Sequence, residues 1–378
     1  MRYFAATLIV LLSTLISRAD SISVQLLTIG QGEVFFQLHG HAALRLICQD
    51  SDSVYSFETD PERSAVMQYM AGNSGSIIAL PGRQLIDSIG ASGRGLKAYT
   101  LGLTSAEAYR LLSLLRNSSG QMHDRFNMRS ANCTTQLFDL IDSAVAPSKI
   151  SPGLSPVFAL PAARFYTDTL RQDAPWVSAL ITLALGSASD EPVAGARSVS
   201  PLIFDDQYRY FTIMPEGRPL VTHAVEIHRR TSSVSPPAVT PVDLSIALAA
   251  ILLIATVLSV SGIRPDITTA LDRLTFGFIF LLGSLIAFAT FTPYSVGSGF
   301  SWSLTVLNPL IIFLPTLRRH ATALRIITAA WSAWLLTIAI FSPAFTAESL
   351  AAVRILAAAL ALRLLTLRHT NSALNLAG

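Results

Sequence analysis

Cysteine is scarce in this chain: Cys48 and Cys133 are the only two among 378 residues. They allow at most one internal disulfide, and no second spaced pair accompanies them to suggest a cysteine-rich zinc site. Charge is scarce too. Asp, Glu, Lys and Arg make up 13% of the chain against 51% hydrophobic residues, and the mean hydropathy is +0.50, too apolar for an ordinary soluble domain throughout. Missing as well is any basic stripe interleaved with aromatics, so the formal net charge of +3 gives no reason to expect a nucleic-acid partner. Gly-rich pieces such as "GASGRG" (90–95) lack the strand and helix context of a phosphate loop.

The apolar residues that are present are unevenly spread. Residues 1–19 carry Arg2, an apolar run from Phe4 to Ile16 and then Ser17-Arg18-Ala19, the pattern of a cleaved secretory signal peptide, with an uncleaved anchor as the alternative. Residues 20–230 read as a mixed α+β domain. Within it Thr104-Ser105-Ala106-Glu107 predicts a capped helix start, and "SALITLALG" (178–186), too short to span a bilayer, predicts a buried helix. Ser, Thr and Pro crowd into a linker at 231–241. Beyond it, five apolar segments near 242–262, 274–292, 302–317, 321–341 and 347–366 predict an all-α five-helix membrane domain over 242–378. Arg264, Arg273, Arg318, Arg319, Arg325, Arg363 and Arg368 fall on one side of those spans, and the opposite loops "TPYSVGSG" and "SPAFTAE" hold no Lys or Arg. The positive-inside rule then places 20–241 outside and the C-terminus in the cytoplasm. Arg354, near the entry of the last span, needs a partner such as Glu348 or the bundle interior.

Cys133 stands in "SANCTTQLFDLI" (130–141), where Leu137, Leu140, Ile141 and Ala144 mark one face of a helix that Asn132 or Ser130 would cap. A thiol in the first turn of a helix feels unpaired N–H groups and the macrodipole, both of which favour the thiolate. The competing reading is a small buried hydrophobe or half of a disulfide. "HGHAALRLIC" (39–48) reads as a strand with His39, His41, Ala43, Arg45 and Ile47 on one face and Ala42, Leu44, Leu46 and Cys48 on the other. If Cys133 approaches the His41 face, this parity separates it from Cys48.

"GHAALRL", "VYSF", "PGRQLI", "YTLGLTSAEAYRLLSLLRN" and "NCTTQLFDLI", in that order, resemble the Lnb N-terminal periplasmic domain family of bacterial envelope proteins. "APWVSALITLALGSASDEP" and "SPLIF" resemble its second block, and "LDRLTFGFIFLLG" with "LNPLIIFLP" resembles the membrane domain that often accompanies it. At a deeper level, a histidine-bearing strand upstream of a cysteine that opens a helix is similar to the circularly permuted papain-like arrangement of NlpC-type and lecithin-retinol-acyltransferase-like thiol enzymes. That resemblance implies His41 as base and Cys133 as nucleophile, because an adjacent imidazole can take the thiol proton and later deliver it to a leaving group. The third, orienting member stays open among Glu58, Ser56 and Asp60, which share one strand face by parity, with Asn132 also able to contribute.

Arg45 and Arg83 are candidates for a substrate carboxylate or phosphate, with structural ion pairing as the alternative for both, and Asn132 is counted with them as a substrate-binding candidate. His39, His41, His123 and Cys133 offer a weaker zinc alternative. The expected protein is a permuted papain-like α+β periplasmic domain on a membrane domain in a bacterial inner membrane. Its expected role is a thiol-dependent hydrolase or acyltransferase for an envelope amide or ester, with no cofactor. The alternatives are an envelope scaffold that binds a partner or glycan, and a metal-binding sensor, for which no cytoplasmic output domain follows the spans.

Overall fold

A computed structural model describes residues 22–33, 37–38, 40–49, 51–59, 74–125, 132–153, 174–185, 201, 207–231, 237–291, 303–319, 321–345 and 351–374. Residues 1–19, with the expected signal peptide, lie outside the described residues. The chain divides into two compact units, one built from 1–65, 73–158 and 194–233 and the other from 66–72, 159–193 and 234–378.

The first unit is built on a seven-stranded antiparallel sheet. Its strands are β1 (Ser23–Ile29), β2 (His41–Cys48), β3 (Ser51–Thr59), β4 (Ser74–Pro81), β5 (Leu96–Leu101), β6 (Met122–Arg125) and β10 (Val221–His228), in the order β10-β5-β1-β2-β3-β4-β6. A small second sheet joins β7 (Lys149–Ser151), β8 (Thr212–Met214) and β9 (Arg218–Pro219). The alternation expected for β2 is present, and each parity class meets its own core. Ala42, Leu44 and Leu46, with Leu26, Tyr55 and Phe57, pack on Leu111 and Leu115 of α2 (Ser105–Ser118) and on Leu137, Phe138 and Ile141 of α3 (Cys133–Val145). Ala43, Val54, Leu27, Ile29 and Leu96 pack on Ile89 of α1 (Gly82–Ala91).

Local chemistry explains the helix starts. Thr104 accepts from the Glu107 N–H at 3.3 Å while the Glu107 carboxylate accepts from the Thr104 N–H at 2.7 Å, a complete capping box. Glu107 also takes a 2.7 Å hydrogen bond from Arg218, which ties α2 to the small sheet.

The second unit is helical: α4 (Pro175–Leu185), α5 (Pro241–Val260), α6 (Pro265–Phe291), the single turn α7 (Ser303–Val306), a 3-10 segment (Pro309–Arg319), α8 (Ala321–Phe345) and α9 (Ala351–Leu374). The helix expected at 178–186 is there as α4, but Leu183 packs with Leu248 and Leu252 of α5, so it sides with the helical unit although it precedes the linker. Among the described residues three helices are long and apolar enough to cross a membrane, Pro241–Val260, Pro265–Phe288 and Thr322–Phe341. The segment read as a span at 302–317 is instead interrupted at Leu307-Asn308-Pro309. Proline removes a backbone N–H and disfavours helix at the residue before it, and the Asn308 side chain accepts from the Leu310 N–H at 2.9 Å. The last segment is the helix α9, which carries two arginines inward: Arg354 donates to the Ala339 carbonyl at 3.0 Å, and Arg363 pairs with Asp272 of α6. Glu348, the expected partner of Arg354, lies outside the described residues.

Candidate active site

One end of the large sheet brings several reactive side chains into a row. Ile29 of β1 pairs with Leu96 of β5 on one side and with His41 of β2 on the other. Ala43 pairs with Ser56 one repeat further in, so the same register carries Glu58 of β3 to His41. Gly40 turns the chain into β2 at φ 69°, a left-handed conformation that glycine adopts without steric cost, and its N–H bonds the Gln37 carbonyl at 3.0 Å. His41 is thereby fixed at the first paired position of its strand.

The ring is oriented from one side by oxygen. His41 Nε2 lies 2.6 Å from Ser56 Oγ and 3.2 Å from Glu58 Oε1. The Ser56 hydroxyl donates its own proton to Glu58 Oε1 at 2.6 Å, so it must accept from Nε2–H, and Nδ1 becomes the nitrogen that can serve the thiol.

The thiol arrives from α3. Asn132 Oδ1 accepts from the Thr134 and Thr135 N–H groups at 2.8 and 2.9 Å, an N-cap that starts the helix at Cys133. The Cys133 side chain is hydrogen-bonded to His41 and receives the backbone N–H of Ala42, with Thr134 Oγ1 4.0 Å from the sulfur. Burial pushes the Cys133 thiol up, but the His41 charge and these hydrogen bonds outweigh it and hold the thiol below its ordinary range. Burial likewise pulls the imidazole down, yet Cys133 and then Glu58 raise it from 6.5 to about 10. Against its own burial, Glu58 is held below the usual carboxylate range by His41, the Ser56 hydroxyl and the charge of Arg94. A thiolate–imidazolium pair backed by a carboxylate is the protonation state this geometry favours, and its thiolate is the nucleophilic form of sulfur.

Residues 14–170 match the family model of the Lnb N-terminal periplasmic domain. That stretch belongs to the Lnb N-terminal periplasmic domain family. No curated protein and no solved structure matches the chain. His41, Glu58 and Cys133 all lie inside the Lnb domain, and the three apolar helices follow it, so the chain is a membrane-associated periplasmic protein.

The remaining expected residues of the Lnb domain are dispersed. Arg45, four residues along β2 from His41, gives Asp52 two parallel hydrogen bonds of 2.7 Å and approaches Gln25 at 3.4 Å, the ion pair raised as its alternative role. Arg83 is exposed in the first turn of α1, beside Pro81, whose partner Ser53 sits at the far end of β3 from Glu58. The Asn132 carbonyl oxygen is engaged by the cap. Asp60 and His39 lie outside the described residues, and His123 falls in β6. Among the described residues no group of three or more His, Cys, Asp or Glu is placed to hold a metal ion.

Both cysteines are free. The reason differs from the parity expected. α3 packs on the Ala42–Leu44–Leu46 side, which is the side of Cys48, and Cys133 meets His41 around the start of the strand. Length separates the sulfurs: Cys48 lies six residues beyond Ala42, roughly 20 Å at the rise of a β-strand.

Arg94 was not visible as a site residue in the sequence. The available signal was its place between Gly93 and Gly95 in the "GASGRG" stretch, where the backbones of Gly30 and Gly95 approach so closely that a Cβ on Gly30 would lie 3.3 Å from the Gly95 nitrogen.

Proposed function

We propose that the Lnb domain of this protein is a thiol-dependent hydrolase or acyltransferase, of permuted papain-like arrangement, that acts on an amide or ester of the cell envelope. The observation that carries this reading is the hydrogen-bonded pair of Cys133, at the first position of a capped helix, and His41, whose other nitrogen is held by Ser56 and Glu58. In the first step the Cys133 thiolate attacks the substrate carbonyl carbon and the carbonyl oxygen takes the charge. The Asn132 cap engages the Thr134 and Thr135 amides, and the Cys133 N–H, ahead of them at the helix start, is the donor assigned to that oxyanion in this reading. As the C–N or C–O bond breaks, the His41 imidazolium gives its proton to the leaving group, leaving a thioester on Cys133 and a neutral ring. Water, or an acceptor hydroxyl or amine, then attacks the thioester while His41 takes its proton, and the thiolate–imidazolium pair is restored.

The membrane region serves this reading as an anchor. An Lnb domain in the periplasm and a C-terminus in the cytoplasm agree with the arginine distribution, and a topology reporter at Gly297 should report periplasm and one after residue 378 cytoplasm.

The test uses the full chain in detergent, treated with iodoacetamide across pH, with the labelled cysteine located by mass spectrometry. Cys133 is expected to label well below the pH at which a free thiol ionises, and His41→Ala to move that midpoint upward by at least about one unit, tenfold less thiolate at a given pH. Equal labelling of Cys133 with and without the imidazole would replace this reading with a non-catalytic envelope scaffold.

A further inference from the structure

Arg94 precedes β5 by two residues and so stands just beyond the row Leu96–Ile29–His41 at the site's end of the sheet. Among the described residues its guanidinium is held from one side. Arg94 Nε donates to the Gly30 carbonyl at 2.9 Å, and the adjoining backbone is locked by the Gly30 N–H bonding Gly95 O at 2.8 Å and the Thr231 N–H bonding Gly93 O at 2.9 Å. Nη2 is buried and has no hydrogen-bond partner among the described residues. An arginine used for structure is normally satisfied at its fork, as Arg45 is by Asp52, so a buried nitrogen left unsatisfied in a half-buried guanidinium requires an explanation. The groups that act on the Glu58 carboxylate supply one: His41 from β2, Ser56 on its own strand, and the charge of Arg94.

We propose that Arg94 is a positioning residue of the thiol site: its anchored charge holds the Glu58 carboxylate opposite Nε2 of His41, and through that ring it sets the state of Cys133. The inference rests on the Cys133–His41 reading above and extends it by a fourth member. Glu58 has one oxygen, Oε1, shared by Ser56 and His41. A carboxylate in that position is useful to the ring only while it is anionic and faces Nε2. A cation fixed at the same end of the sheet favours the anion without competing for the shared oxygen as a second hydrogen-bond donor would. Gln31 belongs to the same support: Arg230 donates to its Oε1 at 3.2 Å, which places a second guanidinium on the loop that leads to His41.

The test is the pH midpoint of Cys133 alkylation in the full chain, in a Cys48→Ala background so that one thiol is read. Arg94→Gln is expected to raise the midpoint by about one unit, a tenfold loss of thiolate at neutral pH, and Arg94→Lys to keep it within about half a unit because the charge stays. In a Glu58→Gln background Arg94→Gln should move the midpoint no further, since its path is through Glu58. A purely structural arginine would lower the melting temperature in both backgrounds and leave the midpoint alone. No shift in Arg94→Gln, or an equal shift with Glu58 already replaced, overturns the proposal. Should Arg94→Gln fail to fold, Arg94→Lys decides it: a midpoint moved as far as in His41→Ala means that charge at this position is not what matters. If His41→Ala itself leaves the midpoint unchanged, it is the thiol-enzyme reading that has failed.

Discussion

In the helical unit Arg363 gives Asp272 two parallel hydrogen bonds of 2.8 and 2.6 Å and donates a third at 3.1 Å to Thr366, with the arginine side chain 1% and the aspartate 11% exposed. In the sheet unit the charges at the row's end share partners: one oxygen of Glu58 serves two neighbours, and Arg94 keeps a nitrogen without any among the described residues. A fully satisfied pair has nothing left to offer a substrate and joins two helices that bilayer or core surrounds. An incompletely satisfied cluster holds its members at higher energy than their best arrangement, which is how proton-transferring groups are kept responsive. Two buried charge systems in one chain thus divide into one that fastens and one that can react.

The sharpest way to break this contrast is Asp272→Ala. It strands a guanidinium among apolar side chains and should destabilise the helical unit by about 3–5 kcal/mol, read as a fall in the unfolding temperature of the detergent-solubilised chain. Replacing both Asp272 and Arg363 by Leu should recover most of that loss, because the stranded charge goes with its partner. If the double replacement is as damaging as the single one, the pair does more than fasten.

Next in size is a pH effect from the thiol site. The folded imidazole sits at about 10 against 6.5, so His41 alone contributes stability that is full below 6.5 and lost as pH rises toward 10. Cys133 lies below its ordinary 9.0, so it alone contributes stability that is full above 9.0 and lost as pH falls. Between 6.5 and 9.0 the two trends cancel, since folded and unfolded chains each hold one proton on the pair. The stability excess of the native chain over His41→Gln/Cys133→Ala should therefore be flat in that window and decline on both sides. A steady slope through neutrality would mean that the folded pair holds two protons or none instead of one.

Smaller still, Asn132→Ala should cost about 1 kcal/mol by removing the cap from the Thr134 and Thr135 amides, and it should slow Cys133 labelling as the helix start loosens. Smallest is Asp52→Ala. The Arg45–Asp52 pair has the same forked geometry as Arg363–Asp272 but is 19% and 30% exposed, so water can take over from the lost partner and the effect should stay within about 1 kcal/mol. Equal damage from Asp52→Ala and Asp272→Ala would dissolve the contrast drawn from burial.

Local signals in the sequence carried the parts that local chemistry decides. Asn132 followed by the periodicity of Leu137, Ile141 and Ala144 placed Cys133 at a helix start, and period-two alternation put His41 and Arg45 on one face of β2. Parity could also group Ser56 with Glu58, and both meet the His41 ring. What parity could not give was which face α3 covers or that a thiol can reach around a strand's end, because both depend on packing between segments about 90 residues apart. Arg94 was hidden for the same reason: its role comes from sheet register across β5, β1, β2 and β3, and no single segment contains it. In the helical region apolar length exposed the three long spans, while the break at Asn308-Pro309 required weighing one proline against a hydrophobic run.

The roughly 20 Å of strand between Cys133 and Cys48 also bears on how the protein ages in an oxidising compartment. A disulfide needs Cα atoms within about 7 Å, so Cys48 cannot act as a resolving thiol for its counterpart. A Cys133 thiolate oxidised to the sulfenic acid would have no internal route back, and each such event would persist until a thiol from another molecule reduced it.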